Sequence, residues 1–217
     1  MPKDIVIVGA GGHGREVAML IEEINASILS WNILGFVDDC HDSLDAECLG
    51  YPVIGAIEDY FLSHKEVSAV IAVGDSRTRL LLWNRIRGGT VSFPSLIHPG
   101  VRVHSSNMIG EGVILCRGAC ITVNVSLGGH VHINTNSTVA HESKLDDFAT
   151  LSPGVNISGN VSLGRGAFLG TGAQVAPSVE VGEGVIVGAG ATVIKNITSN
   201  VVAVGSPAQA IKELTKI

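Results

Sequence analysis

Aliphatic residues recur at every sixth position through the second half of the chain. From Ile97 to Val193, every sixth residue is Ile, Leu or Val, without an insertion. A period of six fits neither a helix nor a simple alternating strand. It is typical of short flat strands joined by tight corners, with the aliphatic side chains pointing into a narrow core. We therefore predict a parallel β-helix in which three hexads form one triangular coil and residue n stacks on residue n+18.

A change in composition separates this repeat from the first part of the chain. Seven of the nine aromatic residues precede Pro94, and only Phe148 and Phe168 follow it. Large rings do not fit a narrow close-packed core, which accounts for the difference. We predict two domains, residues 1–94 and 95–217, the second with a short C-terminal cap. A β-sandwich of evenly spaced strands is the alternative, but that fold does not require an uninterrupted frame.

The first domain begins with a glycine-rich turn between a strand and a helix. The apolar run at residues 5–8 leads into Gly9-Ala10-Gly11-Gly12-His13-Gly14, and a helical pattern follows. In this G-x-G-x-x-G context, backbone amides can approach a phosphate at the helix N-terminus. Two further strands, residues 33–37 and 69–73, end at Asp38-Asp39 and at Gly74-Asp75. Ligands collect at such strand ends in open α/β sheets, so we predict a Rossmann-like nucleotide-binding domain.

An NAD site is the obvious interpretation of the glycine motif. About 95 residues precede the repeat, which is enough for one mononucleotide-binding half but not for the two halves that cradle a dinucleotide. We therefore favour a nucleotide-linked ligand. An NAD-dependent oxidoreductase and a purely structural turn are the alternatives.

Charge and composition argue against several partners. The formal net charge is -6, whereas a nucleic-acid partner requires a clustered basic surface. No apolar run approaches the roughly 18 residues of a membrane span, and the N-terminus lacks a signal peptide's long apolar region. The four cysteines show neither a CxxC pair nor the spacing of a disulfide framework. We expect reduced thiols and a cytoplasmic protein.

Two histidines of the repeat, His130 and His132, flank Val131, which is predicted to point inward. Both are therefore expected to face outward. Two potential ligands without a third are a weak indication of a metal site, so we expect surface or subunit-contact roles.

Four motifs occur together in this chain. They are the VGAGGHG start, GFVDD at the second strand, the unbroken hexapeptide repeat and the tail Val204-Gly205-Ser206-Pro207-Ala208. Over essentially its whole length, the sequence resembles the hexapeptide-repeat sugar acetyltransferases of the bacillosamine, perosamine and sialic-acid pathways. The resemblance implies a left-handed parallel β-helix and a homotrimer that binds acetyl-CoA between neighbouring subunits. It also implies an acetyl acceptor held by the first domain, and no metal.

The resemblance assigns residues to these roles. The family's base is a His followed by Glu in a middle coil, which corresponds to His141-Glu142. The acceptor-binding residues map to Gly11, Gly12, His13, Asp38, Asp39 and Gly74, and the acetyl-CoA contacts map to Thr150, Gly159 and Thr171. Some members carry a second His where this chain has Thr150. The threonine hydroxyl could still donate a hydrogen bond there.

The repeat alone places His141 outside the core-facing positions, two residues after an aliphatic. Its column, at intervals of eighteen residues, contains Ser105, Val123, His141, Gly159, Pro177 and Lys195. Because Gly159 has no side chain, we expect space for a thioester beside the imidazole, and a backbone amide for the oxyanion. Lys195, together with Lys212, is a candidate contact for the phosphates of CoA.

The chemistry follows from the properties of histidine. An acceptor amine or hydroxyl must lose a proton as it adds to a thioester, and imidazole suits that task near neutrality. Glu142 can hold the imidazole and raise its basicity. No cysteine or serine is evidently paired with His141, so we predict direct transfer in a ternary complex.

The leading hypothesis is N-acetylation of a nucleotide-linked 4-amino-4,6-dideoxy sugar by acetyl-CoA. Such a product would serve a bacterial surface glycan, for example a lipopolysaccharide O-antigen. Within the same fold, O-acetylation of sialic acid is the nearest alternative. A non-catalytic trimer that binds sugar nucleotides is the alternative from another class.

Overall fold

The computed structural model of the chain describes residues 1–64 and 66–215. Its contacts divide the chain into two compact units. The first unit comprises residues 1–74 and 78–96, and the second comprises residues 75–77 and 97–217. The division after Leu96 lies close to the boundary expected from composition at Pro94. Composition gives no sign of the short segment Asp75–Arg77, which clusters with the second unit.

The first unit is a mostly parallel sheet with helices between its strands. The strands are β1 (Lys3–Val8), β2 (Trp31–Val37), β3 (Glu47–Cys48), β4 (Tyr51–Gly55) and β5 (Ser68–Ile71), and the helices are α1 (Gly12–Ser27), α2 (Ile57–Ser63) and α3 (Ser76–Ile86), with a 3-10 turn at His41–Ser43. The strand order is β3-β4-β2-β1-β5, and only the β3–β4 pair is antiparallel in this described sheet. The strands predicted at residues 5–8, 33–37 and 69–73 are present with slightly shifted ends.

In the described residues, no helix has the length and apolar character that a bilayer crossing requires.

Strand β1 is the centre of this unit. Its residues Ile5, Val6, Ile7 and Val8 are fully buried and pair with β2 on one side and β5 on the other. A strand covered on both faces shows a continuous apolar run rather than alternation, which explains the sequence pattern. The turn after β1 therefore has a fixed position between the ends of β2 and β5.

The glycines of this turn differ in what the backbone demands of them. Gly9 has a φ of +102°, a conformation that side chains rarely adopt. At Gly14, an added Cβ would fall on the carbonyl oxygen of Gly9. At Gly11 and Gly12, an added Cβ would meet nothing within 4 Å. Packing therefore requires Gly9 and Gly14, whereas the space beside Gly11 and Gly12 is open.

The second unit is a solenoid with three parallel sheets. The first sheet contains Leu96–Ile97, Ile114–Leu115, His132–Ile133, Thr150–Leu151, Phe168–Leu169, Ile186–Val187 and the terminal hairpin Val201–Gly205 and Ala208–Glu213. The second sheet contains Cys120–Ile121, Thr138–Val139, Asn156–Ile157, Gln174–Val175 and Thr192–Val193. The third sheet contains Met108–Ile109, Ser126–Leu127, Lys144–Leu145, Ser162–Leu163 and Glu180–Val181. The chain passes from the first sheet to the second and then to the third in each coil.

The predicted stacking of residue n on residue n+18 is confirmed. Leu127 pairs with Leu145, and Ile133 pairs with Leu151, both in parallel register. From Leu115 to Val193, the aliphatics of the six-residue frame are at most 4 % exposed. Each such side chain contributes roughly 1.5–3 kcal/mol on burial, so the column of aliphatics stabilises the solenoid. The second position of the frame departs from this pattern, since Val103 is exposed and residues 101–104 form no strand.

The corners of the solenoid share one backbone conformation. From Ile109 to Val187, the third residue after each aliphatic of the frame has a φ between +56° and +75°, at Gly112, Gly118, Asn124, His130, Asn136, Glu142, Phe148, Gly154, Asn160, Gly166, Gly172, Ser178, Gly184 and Gly190. Gly adopts this left-handed region freely and Asn tolerates it, which explains their frequency at this position. Other residues incur a cost on the order of 1–2 kcal/mol there. Glu142 is therefore an unfavourable choice for the backbone.

The contrast between two glycines of the first unit gives a prediction about folding. We expect Gly14→Ala to destabilise this unit by about 1–3 kcal/mol, because the new methyl group overlaps a carbonyl oxygen. Gly12→Ala is the control and should be neutral or stabilising by up to about 1 kcal/mol, since it replaces a helical glycine in open space. Urea unfolding followed by tryptophan fluorescence measures both, because Trp31 and Trp83 lie in the first unit. Equal midpoints for the two variants would contradict the prediction.

Candidate active site

The predicted base lies at a rigid corner of the solenoid. The corner joins Thr138–Val139 of the second sheet to Lys144–Leu145 of the third. His141 follows Val139 by two residues, and Glu142 occupies the left-handed corner position. In this single chain, the His141 side chain is 61 % exposed and that of Glu142 is 50 % exposed. Both side chains therefore project from a fixed backbone and are accessible to another molecule.

Hydrogen bonds orient the imidazole. Nδ1 of His141 is hydrogen-bonded to Oε2 of Glu142. A carboxylate oxygen can only accept, so Nδ1 carries the proton and Nε2 keeps its lone pair. Asn124 Nδ2 donates to the other oxygen of Glu142, Oε1, at 3.0 Å. The Asn124 amide, and next the hydrogen bond from His141, hold the pKa of Glu142 below its ordinary value.

The absence of a side chain at Gly159 gives His141 its space. A Cβ at this position would lie 2.5 Å from Cε1 and 2.7 Å from Nε2 of His141. The imidazole therefore leans along its column toward the next coil and occupies the place that a side chain at residue 159 would take. The expectation that a thioester lies beside the imidazole stays a prediction. Gly159 is needed so that His141 can adopt its position.

The residues predicted to contact acetyl-CoA lie on different sides of one chain. Thr150 is on a strand of the first sheet, is 1 % exposed, and its hydroxyl is 2.9 Å from Oγ of Ser76. A direct contact between Thr150 and a ligand is therefore not supported by this structure. Thr171 is exposed at the corner after the first sheet, whereas His141 lies at the corner after the second. Lys195 is exposed in the same column as His141, three coils further on.

At the glycine turn of the first unit, His13 is largely buried. Its side chain is 14 % exposed, and Nδ1 lies 3.2 Å from Oε2 of Glu16. Burial lowers the pKa of His13, and the positive charge of Arg79 adds to that shift, while Glu16 opposes it. These effects favour the neutral imidazole at this helix start.

The two aspartates after β2 are already engaged. Asp38 Oδ2 accepts a hydrogen bond from the amide of Ala10 at 2.9 Å, and Oδ1 accepts one from the amide of Cys40 at 2.8 Å. Asp38 thus ties the glycine turn to the loop after β2. Asp39 forms an ion pair with Arg85, with Nη1 and Oδ2 2.6 Å apart. This hydrogen bond holds the pKa of Asp39 below its ordinary value.

Arg79 was not predicted from the sequence. It is fully buried on α3, and its Nη1 donates to the carbonyl oxygens of Val73 at 2.8 Å and Gly74 at 3.1 Å. A buried guanidinium is costly unless its donors are satisfied, so these carbonyls fix both the arginine and the chain after β5. Gly74 is therefore held in place through its carbonyl group. A single arginine in a helical segment carries no sequence signal for this role.

The prediction that His130 and His132 lie at the surface is wrong. The two residues are only 2 % and 1 % exposed. The His130 ring stacks on Phe148, one coil away at the same corner position, with centroids 5.1 Å apart and planes inclined by 6°. Within residues 1–64 and 66–215, no group of three or more His, Cys, Asp and Glu side chains is arranged to hold a metal ion.

Comparison with known proteins connects this geometry to a family. Residues 4–86 match the PglD N-terminal domain, and residues 160–195 match the bacterial transferase hexapeptide of six repeats. GDP-perosamine N-acetyltransferase of Escherichia coli O157:H7 is 29 % identical over 165 residues, which cover 75 % of this chain and 73 % of that protein.

Two solved structures are similar over almost the whole chain. One is a histidine-to-asparagine variant of perosamine N-acetyltransferase from Caulobacter crescentus in complex with CoA and GDP-perosamine. Its TM-score is 0.85 and its identity 33 %, with 97 % of each chain covered. The other is the acetyltransferase domain of PglB from Neisseria gonorrhoeae FA1090 in complex with acetyl coenzyme A. It has a TM-score of 0.88 and 32 % identity, with 97 % of this chain and 100 % of that chain covered.

These matches confirm the predicted fold, a Rossmann-like domain followed by a left-handed parallel β-helix. They also confirm the predicted class of enzyme, an acyltransferase. The similarity extends over both units and is not confined to the repeat. The chain belongs to the family of hexapeptide-repeat sugar N-acetyltransferases.

Proposed function

We propose that this chain transfers the acetyl group of acetyl-CoA to the amino group of a nucleotide-linked 4-amino-4,6-dideoxy sugar, with His141 as general base. The observation that carries the proposal is the exposed imidazole whose Nδ1 is held by Glu142, so that Nε2 can accept a proton. The relatives support the substrate class, because their structures contain CoA with GDP-perosamine, or acetyl coenzyme A.

The proposed reaction proceeds by direct transfer. The acceptor nitrogen attacks the thioester carbonyl carbon while Nε2 of His141 removes a proton from that nitrogen. The carbonyl oxygen becomes negative in the tetrahedral intermediate, and the backbone amide of Gly159 is the group that we propose to stabilise it. The carbon–sulfur bond then breaks, and the proton on His141 passes to the sulfur of CoA. General-base help of this kind is worth about 10²–10⁴-fold in rate.

The glycine turn of the first unit is the proposed site for the nucleotide part of the acceptor. The space beside Gly11 and Gly12 is open, and the start of α1 offers backbone amides to a phosphate. His13 belongs to this turn and Gly74 follows β5, and we propose that both contact the acceptor, whereas Asp38 holds the turn through the amide of Ala10. We propose that the product serves a bacterial surface glycan and that the reaction takes place in the cytoplasm. The spacing of the four cysteines, which is not that of a disulfide framework, supports a reducing compartment, and cell fractionation tests the location.

Turnover of His141→Asn tests the proposed chemistry. We expect kcat to fall by about 10²–10⁴-fold, because the asparagine cannot take the proton. The thermal midpoint should hardly change, since the side chain is exposed. The measurement is acetyl-CoA consumption with GDP- and UDP-linked 4-amino sugars and with free sialic acid. Preference for sialic acid would favour the O-acetyltransferase alternative, and absence of turnover by the wild-type enzyme on every acceptor would favour the non-catalytic binding protein.

A homotrimer with active sites between subunits is the proposed assembly. His141 and Thr171 lie at different corners of one solenoid, which supports a CoA site formed where two chains adjoin. The exposure of His141 in the single chain is consistent with a site that a second subunit completes. We expect a mass near three times 22.5 kDa by sedimentation velocity at assay concentrations. An active monomer would refute this assembly.

Lys195 is the proposed contact for the phosphates of CoA, with Lys212 as a second candidate. Lys195 lies three coils from His141 in the same column. The strand spacing puts the two positions roughly 14 Å apart, which leaves room for a pantetheine arm between them. We expect Lys195→Glu to weaken CoA binding at least tenfold in calorimetry, because the variant places negative charge beside a phosphate. Binding of the isolated sugar nucleotide should not change. Unaltered CoA affinity would exclude this contact.

A further inference from the structure

One corner of the solenoid carries a ladder of polar side chains, which we call the corner ladder. It consists of Asn124, Glu142, Asn160 and Ser178, each eighteen residues from the next and each at a φ between +56° and +59°. Asn124 Nδ2 donates to Oε1 of Glu142 at 3.0 Å, and Asn160 Nδ2 donates to Oγ of Ser178 at 3.1 Å. Two asparagines with the same backbone thus have different partners, one ionisable and one neutral.

The carboxylate of Glu142 is divided between two neighbours. Oε1 accepts from Asn124, and Oε2 is bonded to Nδ1 of His141. Glu142 is half exposed, and a glutamate without a second partner would have considerable rotamer freedom. The backbone of Asn124 is itself fixed, because its backbone N–H donates to Oγ of Ser106 at 3.0 Å. The side-chain amide of Asn124 therefore reaches Glu142 from a fixed corner.

From this geometry we propose that Asn124 is a positioning residue for acetyl transfer, acting through Glu142 on the orientation of the His141 imidazole. The inference rests on the proposed role of His141 as the general base. Asn124 bonds Glu142, and its proposed contribution is to keep the carboxylate where Nδ1–H must donate. The Nε2 lone pair then stays directed toward the proton that it is proposed to remove from the acceptor.

Electrostatics support the same role. The Asn124 amide is the largest cause of the lowered pKa of Glu142, and His141 is the ionisable partner that adds to it. With Asn124 present, the carboxylate stays ionised to lower pH. Without it, Glu142 takes up a proton at a higher pH. A protonated carboxyl group holds Nδ1–H less firmly than a carboxylate does.

Asn124 could instead be present only because asparagine tolerates the left-handed corner. The chain offers a matched test of that explanation, since Asn160 has the same backbone conformation but bonds Ser178. Glycine suits this conformation, so replacement by glycine removes the amide without straining the corner. The comparison of Asn124→Gly with Asn160→Gly therefore isolates the contact with Glu142.

The experiment measures kcat and KM of the enzyme with acetyl-CoA and the preferred amino-sugar nucleotide. We expect Asn124→Gly to lower kcat by roughly tenfold, less than complete loss of the base. KM for both substrates should stay unchanged, because Asn124 is not proposed to contact either of them. Asn160→Gly should leave both kcat and KM unchanged. Indistinguishable behaviour of the two variants would overturn the proposal.

A double-mutant cycle shows whether Asn124 acts through Glu142. Glu142→Gly removes the carboxylate and relieves the unfavourable corner conformation, so its thermal midpoint should not fall. In that background, Asn124→Gly should cost no further activity. An undiminished tenfold loss there would mean that Asn124 acts by another route and would refute the inference. Full turnover by His141→Asn would refute the proposed base itself, whereas an inactive His141→Asn with a silent Asn124→Gly would refute the positioning role alone.

Discussion

The eighteen-residue register of the solenoid determines which side chains can act together. Because parallel strands pair Leu127 with Leu145 and Ile133 with Leu151, each residue meets the residues one coil before and one coil after it. A functional group is therefore supported along a column and not along the sequence. His141 leans over Gly159, and Glu142 receives the amide of Asn124, both at a separation of eighteen residues. The stacked aliphatic core holds these columns in place.

The site also imposes a cost on the fold. The corner occupied by Glu142 favours glycine or asparagine, and another residue there loses stability on the order of 1–2 kcal/mol. Residues kept in sparsely populated conformations often occur at functional sites, where the surrounding structure compensates. Each fully buried aliphatic of the repeat contributes roughly 1.5–3 kcal/mol, so the regular core readily offsets one strained corner. The acetyltransferase thus combines a repetitive scaffold with an unfavourable backbone conformation at Glu142, next to the proposed catalytic base His141.

In the first unit, buried polar contacts shape the glycine turn. Asp38 accepts from the amide of Ala10, and Arg79 donates to the carbonyls of Val73 and Gly74. These contacts fix the turn after β1 and the chain after β5, and the space beside Gly11 stays open. Asp38 and Arg79 thus hold the glycine turn and the chain after β5. This arrangement agrees with the preference of a nucleotide phosphate for backbone amides.

The sequence by itself determined the solenoid, its register, the strand–turn–helix of the first unit and the His141-Glu142 pair, because all of these depend on residue type at short or regular spacing. Only the tertiary structure decided that the imidazole fills the space over Gly159, that Thr150 is buried against Ser76, and that His130 stacks on Phe148. Periodicity specifies which way a side chain leaves the backbone. It does not specify how far the side chain leans or what covers it, since those depend on contacts between residues distant in the sequence.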